Sequence, residues 1–152
     1  KRVGLFLAGV VMAAAIALHN LPEGMVIGAS YAADLAEAGQ DGRMMALVIG
    51  LHNIPEGMAV AVPLAAGGAS RGRAVLTTAA AGAPTVLGAV LGFCLGTMGP
   101  GLQMLTLGGA SGAMLYVVFG ELLPESFRLC RSPAPVMAAV LGVLTGMGVV
   151  LG

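Results

Sequence analysis

Long apolar stretches broken by short polar connections organise this chain. Five stretches are long enough to cross a hydrocarbon core, which takes about 20 apolar residues. They run approximately over Val3–Ala32, Arg43–Ala66, Ala74–Met98, Leu102–Phe127 and Pro135–Gly152. The fourth carries acids only near its end, and the fifth is the shortest. Between them lie Asp34–Gly42, Gly67–Arg73, Gly99-Pro100-Gly101 and Arg128–Ala134. The last three connections are short, so the helices that they join should be antiparallel neighbours. The pattern predicts an all-α, polytopic transmembrane helix bundle that occupies residues 1–152 as a single domain.

Polar residues interrupt two of these stretches in the same way. The first reads His19-Asn20-Leu21-Pro22-Glu23-Gly24 and the second His52-Asn53-Ile54-Pro55-Glu56-Gly57. Ionisable groups at membrane depth are costly, and by default they mark an ion or substrate path. In a helix, positions i and i+4 share a face. His19 therefore lies above Glu23, and His52 above Glu56. Asn20 and Asn53 are turned about 100° away, on a flank of the same helix. Each proline removes a helix hydrogen bond, which frees the Leu18 and Leu51 carbonyls. Such backbone is tolerated at that depth when it is buried or lines a wet cavity.

Two such helices facing each other would offer two imidazole nitrogens and two carboxylates. That set suits zinc, iron, manganese and similar divalent ions. Asn is a weak ligand through its amide oxygen and could serve a hydrated or second position. A single His-x-x-Pro-Glu could equally be a kinked helix with a satisfied buried pair. Two copies argue against that, because a packing repeat need not repeat both the His and the Glu.

A degenerate third version, Glu121-Leu122-Leu123-Pro124-Glu125, ends the fourth stretch. Glu121 and Glu125 read either as a metal exit path or as interfacial acids near Arg128 and Arg131. Asp34, Glu37 and Asp41 read as a solvated loop rather than a cation-attracting mouth. Small residues recur every four positions at Gly88, Gly92 and Gly96, at Gly108 and Gly112, and at Gly142 and Gly146. This spacing predicts close helix packing. The methionines read as core filler.

Composition agrees with a membrane protein. Hydrophobic residues make up 58% and charged residues 9%, against about 25% charged in a soluble domain. The mean hydropathy is +0.97. Net charge is zero, which gives no reason to expect nucleic acid. Cys94 and Cys130 suggest neither a disulfide framework nor a thiolate metal site. No small-residue cleavage site follows the first apolar run, so no signal peptide is expected.

The basic residues predict the orientation. Lys1, Arg2, Arg71, Arg73, Arg128 and Arg131 all fall on one side, and Arg43 alone lies opposite, beside acids. Cytoplasmic loops collect Lys and Arg. The N-terminus is therefore expected in the cytoplasm and the C-terminus outside, in the cell (plasma or inner) membrane.

These residues resemble the ZIP (Zrt/Irt-like protein) family of divalent-metal transporters. The paired His-Asn-x-Pro-Glu-Gly motifs carry the resemblance. The run from Gly112 to Val118, followed by Gly120-Glu121-Leu122-Leu123-Pro124-Glu125, looks like the family's seventh helix. The family has eight membrane helices, and this chain resembles helices four to eight. The resemblance implies a single or binuclear metal site that uses His19, Asn20, Glu23, His52, Asn53 and Glu56. It also implies inward transport by alternating access, with zinc first and iron, manganese or cadmium as further substrates. One departure matters. Many relatives carry a Glu just before a Pro in the sixth helix, where Ala83 precedes Pro84 here. That favours one strong position, with Asn20 and Asn53 at a weaker auxiliary one or on the release route.

Expected partners are the metal ion, the lipid bilayer, the N-terminal helices missing from this chain and a second copy as a homodimer. The rival readings are an intramembrane metalloenzyme and a metal sensor. The enzyme would need an open metal position, a water and a general base, and no His-Glu-x-x-His occurs.

Overall fold

A computed structural model describes residues 2–37 and 39–151, with side chains left undescribed at 36, 37, 121, 122, 125, 129 and 149–151. Six α-helices follow in order: α1 (Arg2–Glu37), α2 (Asp41–Ala66), α3 (Arg71–Thr97), α4 (Pro100–Tyr116), α5 (Leu123–Leu129) and α6 (Ala134–Leu151). A π-helical turn, Val117–Leu122, joins α4 to α5. No strand occurs among the described residues. Four helical spans are long and apolar enough to cross a membrane: Arg2–Leu35, α2, α3 and Pro100–Gly120. Ala134–Gly148 is a shorter apolar helix. Their outer faces are apolar: Val3 is 81% exposed, Leu18 78% and Leu76 72%. Lipid solvates such faces, and the backbone of each helix satisfies itself.

The chain divides into two compact units, Lys1–Met114 and Leu115–Gly152. In the first, α1 is the central helix. It runs parallel to α3 and antiparallel to α2. Small residues make the α1–α3 approach possible. A Cβ on Gly24 would strike the Thr85 carbonyl, and one on Gly28 the Ala89 carbonyl. From the other side, a Cβ on Gly88 would meet the Leu21 carbonyl, and one on Gly92 the Met25 carbonyl. Gly96 continues the row against the Ala32 methyl. Lipid supplies no hydrophobic drive between helices, so close backbone approach has to supply the attraction.

The spacing in α3 therefore packs as its sequence suggests. The same spacing at Gly108, Gly112, Gly142 and Gly146 does not, since none of these has a described neighbour within 4 Å of a built Cβ. Small residues permit close approach without causing it.

The connections set the ends. The Asp34 carboxylate, near the end of α1, accepts from the backbone N–H groups of Asp41 and Gly42 at 2.9 Å each. It thus satisfies two of the free donors that open α2. Asp34 is a helix cap, where the sequence alone suggested a solvated residue. Glu37, read with it, lies outside the described side chains. At the other end of α2, Gly67 sits where a side chain would strike Phe6, and Gly68 adopts φ +98°. The Gly67–Gly68 turn thus abuts the start of α1. A core of Ala13, Val60, Leu64, Ala74 and Ala81 fills the space between the three helices.

The second unit departs from the expected continuous helix over Leu102–Phe127. Pro124 has no N–H for the Gly120 carbonyl and would crowd it. The chain widens there instead, and the Leu123 N–H donates to Val118 O, five residues back.

Candidate metal centre

The two motifs meet at the α1–α2 seam. Pro22 and Pro55 lie inside unbroken helices, so His19 and Glu23 keep one face, as do His52 and Glu56. The antiparallel pairing brings the two faces together. His19 Nε2 lies 3.3 Å from Glu23 Oε1 and 3.6 Å from Glu56 Oε1. His52 Nε2 lies 3.5 Å from Glu23 Oε1 and 3.4 Å from Glu56 Oε1. The rings meet edge to face, with centroids 6.5 Å apart. One ligand atom from each residue falls within 4.8 Å of all the others.

These edges suit a small cation. Zinc bonds of about 2.0–2.1 Å in a tetrahedron put neighbouring ligand atoms about 3.3 Å apart. The two carboxylates, when ionised, match a dication in charge. Burial is uneven: the Glu23 side chain is 0% exposed, His19 12%, Glu56 16% and His52 54%. Glu23 Oε1 and His19 Nδ1 are buried with no hydrogen-bond partner among the described residues. A buried carboxylate oxygen in that state is costly, and a cation held at the quartet would relieve it.

The asparagines behave differently from each other. Asn20 is 2% exposed, and its Nδ2 donates to the Ala81 carbonyl of α3 at 2.8 Å. Its Oδ1 is buried with no hydrogen-bond partner among the described residues, as is Thr85 Oγ1 one turn further along α3. The Asn53 amide lies against both acids, 3.1 Å from Glu23 Oε2 and 3.3 Å from Glu56 Oε2, and would donate to both with its nitrogen turned toward them. Neither contact was legible from spacing. Nothing in the sequence singled out Ala81. Glu121 and Glu125 lie outside the described side chains.

Comparisons with known proteins point one way. No solved structure matches. The chain is 40% identical over 114 residues to the zinc transporter GufA of Myxococcus xanthus. The match covers 75% of this chain and 44% of that relative, so the chain spans less than half the relative's length. The family profile described as ZIP Zinc transporter matches residues 2–152, and the chain therefore belongs to the ZIP zinc transporter family, a family of transporters rather than of enzymes.

Proposed function

We propose that this protein carries a divalent metal, zinc first, across a membrane into the cytoplasm by alternating access. His19, Glu23, His52 and Glu56 would bind the ion. The convergence of four ligand atoms from two helices, all within 4.8 Å of one another, carries this reading. The carboxylates offset the charge of the ion, and the imidazoles favour borderline-soft ions over magnesium and calcium. Iron, manganese and cadmium are further candidate substrates. Asn20, next to His19 in sequence, has an Oδ1 with no hydrogen-bond partner among the described residues and would be a weak oxygen ligand for an auxiliary position. Glu121 and Glu125 would line the exit toward the cytoplasm.

The inward direction is carried over from the family resemblance, and the orientation of the chain is argued from charge. The contact of Gly67 with Phe6 sets the start of α1 beside the α2–α3 turn, so Arg2, Arg71 and Arg73 gather at one end of the bundle. Asp34 and Asp41 gather at the other, with Arg43. Basic ends face the cytoplasm, which puts the N-terminal end of this chain inside. The N-terminal helices of the family's eight, and a second copy of the protein, would complete the transporter.

Uptake of zinc, iron, manganese and cadmium into proteoliposomes tests this directly. The intact protein is compared with a His52→Ala, Glu56→Ala double variant. Saturable uptake that the double variant lacks is the expected result. Binding without flux in the intact protein would replace the carrier with a metal sensor.

A further inference from the structure

Three arginines gather at one end of the first unit with no acid to match them. Arg2 stands one turn before Phe6 on the same face of α1, and Phe6 abuts Gly67 in the turn that leads to α3. That turn is pinned by the Ala69 N–H, which donates to Leu64 O at 3.0 Å. α3 then opens with Arg71, and Arg73 follows in its first turn. All three arginines are exposed, and none has a carboxylate partner among the described residues. The sequence gives the reason: no Asp or Glu occurs in residues 1–22 or 57–114. Arg43, at the opposite end, shares a cleft with Asp34.

Such an end is unfavourable on its own. The three like charges repel, and the partial positive charge of a helix N-terminus opposes Arg71 and Arg73. An anion relieves both. The surroundings specify its kind. Just inside the arginines, Val3 and Leu7 on α1 and Val75 and Leu76 on α3 are exposed and apolar. Those flanks suit hydrocarbon, so an anion that carries acyl chains fits the place better than a free one. Guanidinium groups hold phosphate through paired N–H donors. We propose that Arg2, Arg71 and Arg73 bind the phosphate of an anionic phospholipid headgroup, with the acyl chains along the exposed faces of α1 and α3. The bound lipid ties the start of α1 to the start of α3. The site lies about 25 Å along α1 from His19, so it is separate from the quartet and independent of the metal reading.

The test titrates the purified intact protein in detergent with phosphatidylglycerol and reads bound lipid by native mass spectrometry. Phosphatidylcholine and inorganic phosphate are the parallel arms. Wild-type protein should bind phosphatidylglycerol more tightly than phosphatidylcholine. Arg2→Gln should weaken phosphatidylglycerol about fivefold, and Arg71→Gln with Arg73→Gln about 25-fold, the scale of one surface arginine each. Phosphatidylcholine binding should be unchanged in both. Arg43→Gln removes the same charge at the other end and should leave phosphatidylglycerol affinity within about twofold.

Equal binding of the two lipids by wild-type protein would overturn the proposal, and that comparison needs no variant to fold. An unchanged phosphatidylglycerol affinity in Arg2→Gln or in the double variant would overturn it too. So would an equal loss in Arg43→Gln, which would reduce the effect to net charge. Displacement of bound phosphatidylglycerol by an equal concentration of inorganic phosphate would replace the lipid site with a free-anion site.

Discussion

The two motif copies share five of six residues in pattern yet do different work. In the first copy, Glu23 is fully buried, His19 nearly so, and Asn20 ties α1 to the α3 backbone. Gly24 lies where any side chain would strike that backbone. In the second copy, His52 is 54% exposed and Asn53 turns to the acids. A Cβ on Gly57 would meet only the Thr78 methyl, at 3.3 Å. The difference comes from position in the bundle. α1 has a neighbour on both sides, so its motif faces α2 with His19 and Glu23 and α3 with Asn20 and Gly24. α2 has its main contacts on the α1 side. One sequence pattern thus serves as both a candidate ligand face and a packing face in α1, and mainly as a candidate ligand face in α2.

Four experiments would break or sharpen this comparison. The largest effect belongs to the acids, where the copies should act alike. Glu23→Gln and Glu56→Gln should each weaken zinc binding by more than about 100-fold, beyond the 10–100-fold typical of residues that only support a ligand. Titration calorimetry would show it, and retention of tight binding by either variant would remove that acid from the site.

The glycines should separate the copies. Gly24→Ala sets a methyl against fixed backbone and should cost about 1–3 kcal/mol of stability in detergent unfolding, on the scale of overpacking. Gly57→Ala presses on one methyl that can yield, and should stay within about 1 kcal/mol. Equal costs would contradict the two-sided placement of α1.

Acid should weaken the site through both copies. A protonated imidazole has no lone pair for a metal, so zinc affinity should decline as pH falls through the histidine titration range. The decline approaches about tenfold per pH unit for each histidine that must lose a proton. Binding that is flat between pH 5 and 7.5 would mean that the imidazoles are not ligands. The smallest effect concerns the α1–α3 tie. Asn20→Ala removes one buried hydrogen bond and should cost about 1 kcal/mol. Zinc affinity should change less than in either acid variant.

Much of this was legible before any coordinates. The doubled motif pointed to its candidate ligands because a helix puts residues i and i+4 on one face, and because bare charge in lipid demands a purpose. The glycine row of α3 was legible as a packing face for the same reason of periodicity. The identical spacing at Gly108 and Gly142 meets no neighbour among the described residues, since spacing describes one helix and packing needs two. Asp34 read as solvated because its partners, the first N–H groups of α2, become available only once that helix has formed.

The sequence by itself determined the all-helical membrane character and singled out two sets of candidate ligands, because these depend on hydrophobic length and helical period. Only the tertiary structure decided that the ligand sets converge, that Glu23 is sealed while His52 stays open, and that Asn20 and Asn53 part company. Those outcomes depend on which helix lies against which face. Rotation of α2 about its axis would preserve every local rule and separate the quartet. The antiparallel α1–α2 pairing, with α1 locked to α3 through backbone contact at glycine, supplies what the one-dimensional pattern leaves open.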